Sequence, residues 1–84
     1  MREVVLYTRD GCCLCDDARQ VLLSVQQGHP SAFSVRERDI DQDDDLHRAY
    51  LERIPVIAID GEEAFELVVD RAELEQRLGI VEAR

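Results

Sequence analysis

All three cysteines of the chain fall within four positions of the stretch Arg9-Asp10-Gly11-Cys12-Cys13-Leu14-Cys15-Asp16-Asp17-Ala18. Clustered thiols bind a metal, pack as filler, or exchange electrons through a reversible disulfide. Cys12 and Cys15 are spaced i, i+3, which at a helix start sets them on one face about 5 to 6 Å apart, within the reach of a disulfide. Cys13 lacks that geometry. With Cys12 it would close a strained vicinal ring, and it does not face Cys15 across the helix. The spacing therefore predicts a reversible Cys12–Cys15 pair.

A thiol just ahead of a helix meets unpaired backbone N–H groups and the positive end of the helix dipole, so its thiolate is favoured. Cys12 is placed for that role and is the candidate nucleophile. Cys15, one turn in and directed toward the protein, is the candidate resolving thiol. Arg9 reinforces the thiolate, whereas Asp10, Asp16 and Asp17 oppose it by like charge. Filler fits poorly, because Cys12 sits in a polar turn and not on an apolar face. A structural zinc wants four ligands, and His29 and His47 are remote from the three thiols in sequence. No metal site is expected.

The elements that must hold these thiols follow from periodicity. Val4 to Tyr7 reads as a buried strand ending at the polar turn Thr8-Arg9-Asp10-Gly11. Leu14, Ala18, Val21, Leu22 and Val25 form the stripe of an amphipathic helix, which Gly28-His29-Pro30 stops. Phe33 and Val35 open a second strand that runs to about Ile40. Asp41 to Asp45 offer caps and first-turn acids for a short helix with Leu46, Ala49 and Tyr50 on one face. Ile54-Pro55-Val56-Ile57-Ala58-Ile59, the Asp60-Gly61 turn, and alternating Phe65, Leu67 and Val69 read as a hairpin. Asp70 with Glu73 forms an Asp variant of the capping box, and Leu74 and Leu78 carry a last helix to Gly79. The predicted order is β-α-β-α-β-β-α, a single α/β domain over residues 1–84 without repeat or linker.

Composition narrows the partners. Ten basic against nineteen acidic residues leave a net charge of −9, a surface that repels phosphate backbones and anionic membranes. Neither nucleic acid nor a membrane is an expected partner. At 45% hydrophobic residues the chain is apolar enough to fold by itself despite 35% charged residues. The only early apolar run, Val4 to Tyr7, is too short for a signal peptide or a membrane span, so a cytoplasmic protein is expected. An odd number of adjacent cysteines also differs from the spread, even set of a secreted disulfide scaffold.

GCCLCDDA at the front of a helix, preceded by VVLYTR and followed by Arg53-Ile54-Pro55 and Asp60-Gly61, resembles a glutaredoxin-type member of the thioredoxin superfamily. More narrowly, YTRDGCCLCDDA with DIDQDD and RIPVIAIDGEE is similar to the small bacterial glutaredoxin-like proteins. The resemblance spans nearly the whole chain. It implies a thioredoxin-like fold with a mixed four-stranded sheet in the order 2-1-3-4, the first two strands parallel and the hairpin antiparallel to them. It also implies that Pro55 is a cis-proline facing the thiols, and that the Ile54 backbone pairs with an extended substrate segment. Arg9 stands where glutaredoxins usually carry a Lys that favours the thiolate and binds the glutathione carboxylate.

The chain differs from glutaredoxins in two places. Cys13-Leu14 occupies the position of their common Pro-Tyr, and Ala64-Phe65-Glu66-Leu67 stands where they carry a Gly-Gly that holds glutathione. Without those glycines, and with Asp10, Asp16 and Asp17 repelling an anionic tripeptide, glutathione is expected to bind poorly. The reading is thus a monomeric thiol-disulfide oxidoreductase with Cys12 and Cys15 catalytic and Arg9, Ile54 and Pro55 on the substrate. No cofactor is expected beyond glutathione serving as reductant, and the partners are a protein disulfide or a thioredoxin-type reductant. The rivals are a peptide-binding module without turnover and a thiolate carrier of metal or an iron-sulfur cluster. Insulin reduction separates the first, and metal analysis the second.

Overall fold

A computed structural model describes residues 2–29 and 32–79. Strand β1 (Arg2–Thr8) alternates, with Val4, Leu6 and Thr8 buried. Helix α1 (Cys13–Gly28) buries Cys15, Ala18, Leu22 and Val25, with Val21 half-buried; Leu14, expected on the same stripe, is exposed because in the first turn it is Cys15 that faces the core. It ends at His29, whose N–H bonds to the carbonyls of Val25 and Gln26, both at 3.1 Å. Pro30, the predicted stop, lies outside the described residues.

Strand β2 (Phe33–Asp39) runs parallel to β1, from Arg2 opposite Phe33 to Thr8 opposite Asp39. Ile40 begins a 3₁₀ turn, Ile40–Gln42, and is fully buried. Helix α2 (Asp44–Tyr50) is capped by Asp43, whose carboxylate accepts the Asp45 and Leu46 amides at 2.9 and 3.3 Å. Its inward face is Leu46 and Tyr50; Ala49, expected there, is exposed because seven residues give too few turns for a broad stripe.

Strand β3 (Val56–Ile59) is buried throughout and antiparallel to β1. Asp60 and Gly61 take φ of 52° and 89°, the two positive values of a type I′ turn, and β4 (Glu62–Glu66) returns antiparallel. Asp60 also clamps the hairpin to β1: its carboxylate accepts the Glu3 amide at 3.0 Å and its own N–H donates to the Glu3 carbonyl at 2.8 Å. The alternation of Phe65, Leu67 and Val69 predicts a longer strand than is formed. Leu67 turns to φ +68° and its N–H leaves the ladder for the carbonyls of Pro55 and Arg53.

Helix α3 (Arg71–Leu78) is capped by Asp70, which accepts the Ala72 amide at 3.1 Å, and closes at Gly79 in the left-handed conformation. Glu73 is not the reciprocal partner of a capping box; it pairs with Arg77 at 3.9 Å. The sheet order is β2-β1-β3-β4, with helices and strands in the expected α/β sequence.

One apolar cluster joins Val4 and Leu6, Ala18, Leu22 and Val25, Phe33, Ile57 and Ile59, and Leu74 and Leu78. Each such large side chain contributes roughly 1.5 to 3 kcal/mol on burial, so α1 and α3 are held on one sheet face by packing rather than by helix propensity. On the other face Tyr7 stacks on Tyr50 at 4.5 Å between centroids and seats α2. No helix among the described residues is long and apolar enough to cross a membrane.

Candidate active site

Gly11, at φ +77°, makes the reversal from β1 into α1 that a side chain at this position would strain. It delivers Cys12 in extended conformation (φ −95°, ψ 108°) as the N-cap of α1. Cys12 Sγ accepts the Cys15 amide at 3.2 Å, and the Cys12 carbonyl accepts the Asp16 amide at 3.1 Å. A sulfur thus takes the place of the Ser or Asp oxygen that ordinarily caps a helix, and it lies at the positive end of the dipole. Cys12 is half-buried, Cys13 is exposed and Cys15 is completely buried, all as free thiols.

Cys15 belongs to a second apolar cluster with Ile40 and Ile54, against which Tyr7, Cys12, Leu46 and Tyr50 pack. Burial pushes the Cys15 thiol above its ordinary value, and donation toward Cys12 raises it further. The Thr8 hydroxyl and the Arg9 backbone N–H pull the other way, before the charge of Cys12 adds a last upward contribution. Two thiols with different surroundings result, one capping a helix near solvent and one holding its proton beneath it.

The structure brings Ile54 to the thiols, and Pro55 follows it through a cis peptide bond, as the resemblance implies. The Ile54 amide donates to the Tyr50 carbonyl at 3.0 Å, and the Pro55 carbonyl accepts the Leu67 amide at 2.9 Å. The Arg9 guanidinium, in contrast, is set beside Asp41, with Nε 3.3 Å from Oδ2, while His47 Nε2 lies 3.5 Å from the other oxygen. What Arg9 contributes to Cys15 is its backbone.

Behind Ile54, the Arg53 guanidinium bonds Glu63 and Glu66 across the hairpin and sits 5.3 Å from the Tyr50 ring centroid. Hydrogen bonding to Arg53 holds the Glu63 carboxyl below its usual value, and burial followed by Glu63 raises the Tyr50 phenol. This network ties α2 to β4 on either side of the Ile54-Pro55 turn.

Three features escape the sequence reading. Thr8 places a buried hydroxyl at Cys15, and its signal was its parity with Val4 and Leu6 in β1. Leu67 is a bulky residue held at positive φ, which no local pattern signals. With Leu14 and Val68 it leaves an exposed apolar ledge over a hollow of about 80 Å³ that Asp17 and Ala18 also line. A hollow of about 460 Å³ lies along α2 near His47 and Arg53 and includes none of the thiols.

The model of the glutaredoxin-like domain (DUF836) matches residues 3–79. The chain belongs to that glutaredoxin-like family. Among solved structures it is similar to a protein from X. campestris, at 31% identity over 94% of this chain and 99% of that one, with a TM-score of 0.75. It is similar to a protein from Nitrosomonas europaea at 28% identity over 90% and 89%, again with a TM-score of 0.75. A mutant thioredoxin from Halobacterium salinarum, at 22% identity over 92% of this chain and 71% of that one with a TM-score of 0.67, shares the fold. None of the curated proteins matches the chain. Family and fold together support a redox-type function for this glutaredoxin-like protein.

Proposed function

We propose that this glutaredoxin-like protein is a thiol-disulfide oxidoreductase acting on protein disulfides. The observation that carries the reading is the Cys12 sulfur capping α1, with the Cys15 amide 3.2 Å away and the Cys15 thiol buried behind it. Cys12 thiolate attacks one sulfur of a substrate disulfide, and the other sulfur leaves as a thiolate that takes a proton from solvent. Cys15 then gives its proton to solvent and attacks Cys12 Sγ, which releases the second substrate thiolate and leaves a Cys12–Cys15 disulfide. Both electrons come from the protein dithiol, which a thioredoxin-type dithiol or glutathione restores.

The elevated Cys15 thiol supports this order of events. While Cys12 is a thiolate, its charge and hydrogen bond keep the Cys15 proton in place; once Cys12 is bonded to substrate sulfur, both influences end. Ile54 and Pro55, in the turn beside the thiols, dock an extended segment of the substrate, and Arg9, just past β1 and still partly exposed beside Asp41, is its cationic contact. The ledge of Leu14, Leu67 and Val68 suits an apolar target residue better than a tripeptide with two carboxylates.

The test is reduction of a protein disulfide such as insulin with a recycling dithiol. Turnover in the wild type, none in Cys12→Ser, a single arrested mixed disulfide in Cys15→Ser, and retained turnover in Cys13→Ser are expected. A wild type without turnover, or a Cys13→Ser variant as inactive as Cys12→Ser, contradicts the reading.

A further inference from the structure

Thr8 is the last residue of β1 and is only 6% exposed. Its Oγ1 is sealed from solvent and makes no hydrogen bond of ordinary geometry in the resting protein, although it lies close enough to Cys15 to favour the charged form of that thiol. A buried hydroxyl in that state is uncommon and destabilising, so its retention needs a cause. The register of β1 supplies one. Val4, Leu6 and Thr8 share the inward face, and the chain turns from Thr8 into the loop that starts α1, so the third of these side chains lies on the face that α1 covers, where Cys15 is buried.

We propose that the Thr8 hydroxyl is a built-in donor for Cys15, idle while that sulfur is a thiol and engaged when it carries charge as the mixed disulfide is resolved. This rests on the assignment of Cys15 as resolving thiol. A neutral thiol is a weak acceptor, whereas a thiolate is a strong one, so the same O–H that finds no partner in the resting protein gains a short, charge-assisted bond in the reacting one. The step balances: Cys15 releases its proton to solvent, the new Cys12–Cys15 bond forms, and the Cys12–substrate bond breaks with its electron pair on the departing sulfur. Thr8 keeps its proton throughout.

The groups that face Cys15 leave few substitutes. Cys12 on the cap of its own helix is consumed in the mixed disulfide. Tyr7 of β1 and Tyr50 of α2 are the titratable side chains packed against its cluster, and Tyr50 is pushed away from ionisation by burial. Ile40 and Ile54 bring no polar side chain, and the charged pair Arg9–Asp41 is engaged with itself. Among the described residues, Thr8 and the Arg9 backbone N–H are the remaining donors.

The experiment follows Cys15 directly by thiolate absorbance in a Cys12→Ser, Cys13→Ser background, with Thr8 as Thr, Val, Ala or Ser. Thr8→Val is close to isosteric, Thr8→Ala guards against a Val variant that fails to fold, and Thr8→Ser keeps the hydroxyl. Loss of one hydrogen bond to a charged sulfur moves the Cys15 titration up by about one pH unit, and Thr8→Ser restores it. In the full chain, resolution of a preformed mixed disulfide at neutral pH slows about tenfold in Thr8→Val, since rate follows thiolate fraction, while alkylation of Cys12 is unchanged. Coincident titrations of Thr8, Thr8→Val and Thr8→Ala, or a Ser variant no better than Val, would overturn the assignment. The titration needs no substrate, so a shift seen in a protein that reduces no disulfide would leave the Thr8 donor standing and remove the oxidoreductase reading instead.

Discussion

Replacing Cys12 by Ala and by Ser separates the chemistry of its sulfur from its structural place. The α1 N-terminus has backbone N–H groups without helical partners, and the structure satisfies that of Cys15 with Cys12 Sγ at 3.2 Å in a partly buried setting. Ala leaves that donor unpaired; Ser offers an oxygen at the same position. The two replacements are close in size, so their difference cancels lost packing and isolates the cap. An N-cap oxygen against Ala is worth about 1 kcal/mol, which in a domain of this size moves the melting temperature by roughly 4 to 8 °C. Both variants lose disulfide exchange, yet only Cys12→Ala melts lower by that amount, read by circular dichroism on the reduced proteins. If Ala and Ser melt together, the sulfur does not cap α1, and the argument that the helix terminus favours its thiolate loses its geometric basis.

The acid-base behaviour of Cys15 predicts a second effect. Its folded value is raised, so the folded state keeps a proton that the unfolded chain releases; the resulting stability is present below the ordinary thiol value and is lost as pH rises from there through the raised folded value. Urea unfolding of the reduced protein should show that fall above pH 8, and a Cys15→Ala variant should show less of it; equal slopes would contradict the assignment. At Leu67, Gly relieves a positive φ that costs a bulky residue roughly 1 to 2 kcal/mol. Leu67→Gly should therefore retain or gain stability and raise turnover of a glutathione mixed disulfide, and an unchanged glutathione rate would show that this side chain does not exclude the tripeptide. In the core, Leu22→Ala removes a fully buried side chain and should cost about 3 to 5 kcal/mol in denaturant unfolding, whereas a loss below 1 kcal/mol would contradict the packing. Added salt should speed glutathione reactions more than reactions with a neutral disulfide, because Asp10, Asp16 and Asp17 are exposed around the thiols.

What was legible in the sequence was local. The Cys12–Cys15 spacing, the stripe from Ala18 to Val25 and the Asp60-Gly61 turn each depend on neighbours within one helical turn or one hairpin, and each stands in the structure where the pattern puts it. The family resemblance supplied the sheet order, which pairs β1 with the distant β3 and which periodicity alone does not specify. The missed features are choices made between distant segments. Phe65, Leu67 and Val69 alternate as a strand should, yet the Leu67 amide prefers the carbonyls of the Pro55 turn, and the strand ends at Glu66. Arg9 reads as a cation for the thiols, but the 3₁₀ turn after β2 brings Asp41 to its guanidinium. Thr8 reads as the start of a polar turn, although its parity with Val4 and Leu6 already puts its hydroxyl on the enclosed face of β1.

The central claim, that Cys12 attacks and Cys15 resolves, is tested most directly by trapping a protein disulfide substrate on the Cys15→Ser variant with Cys13 left intact and mapping the adduct by mass spectrometry. The account predicts a stable mixed disulfide whose only attachment is Cys12. Attachment through the more exposed Cys13, or no adduct from a folded variant, would contradict it.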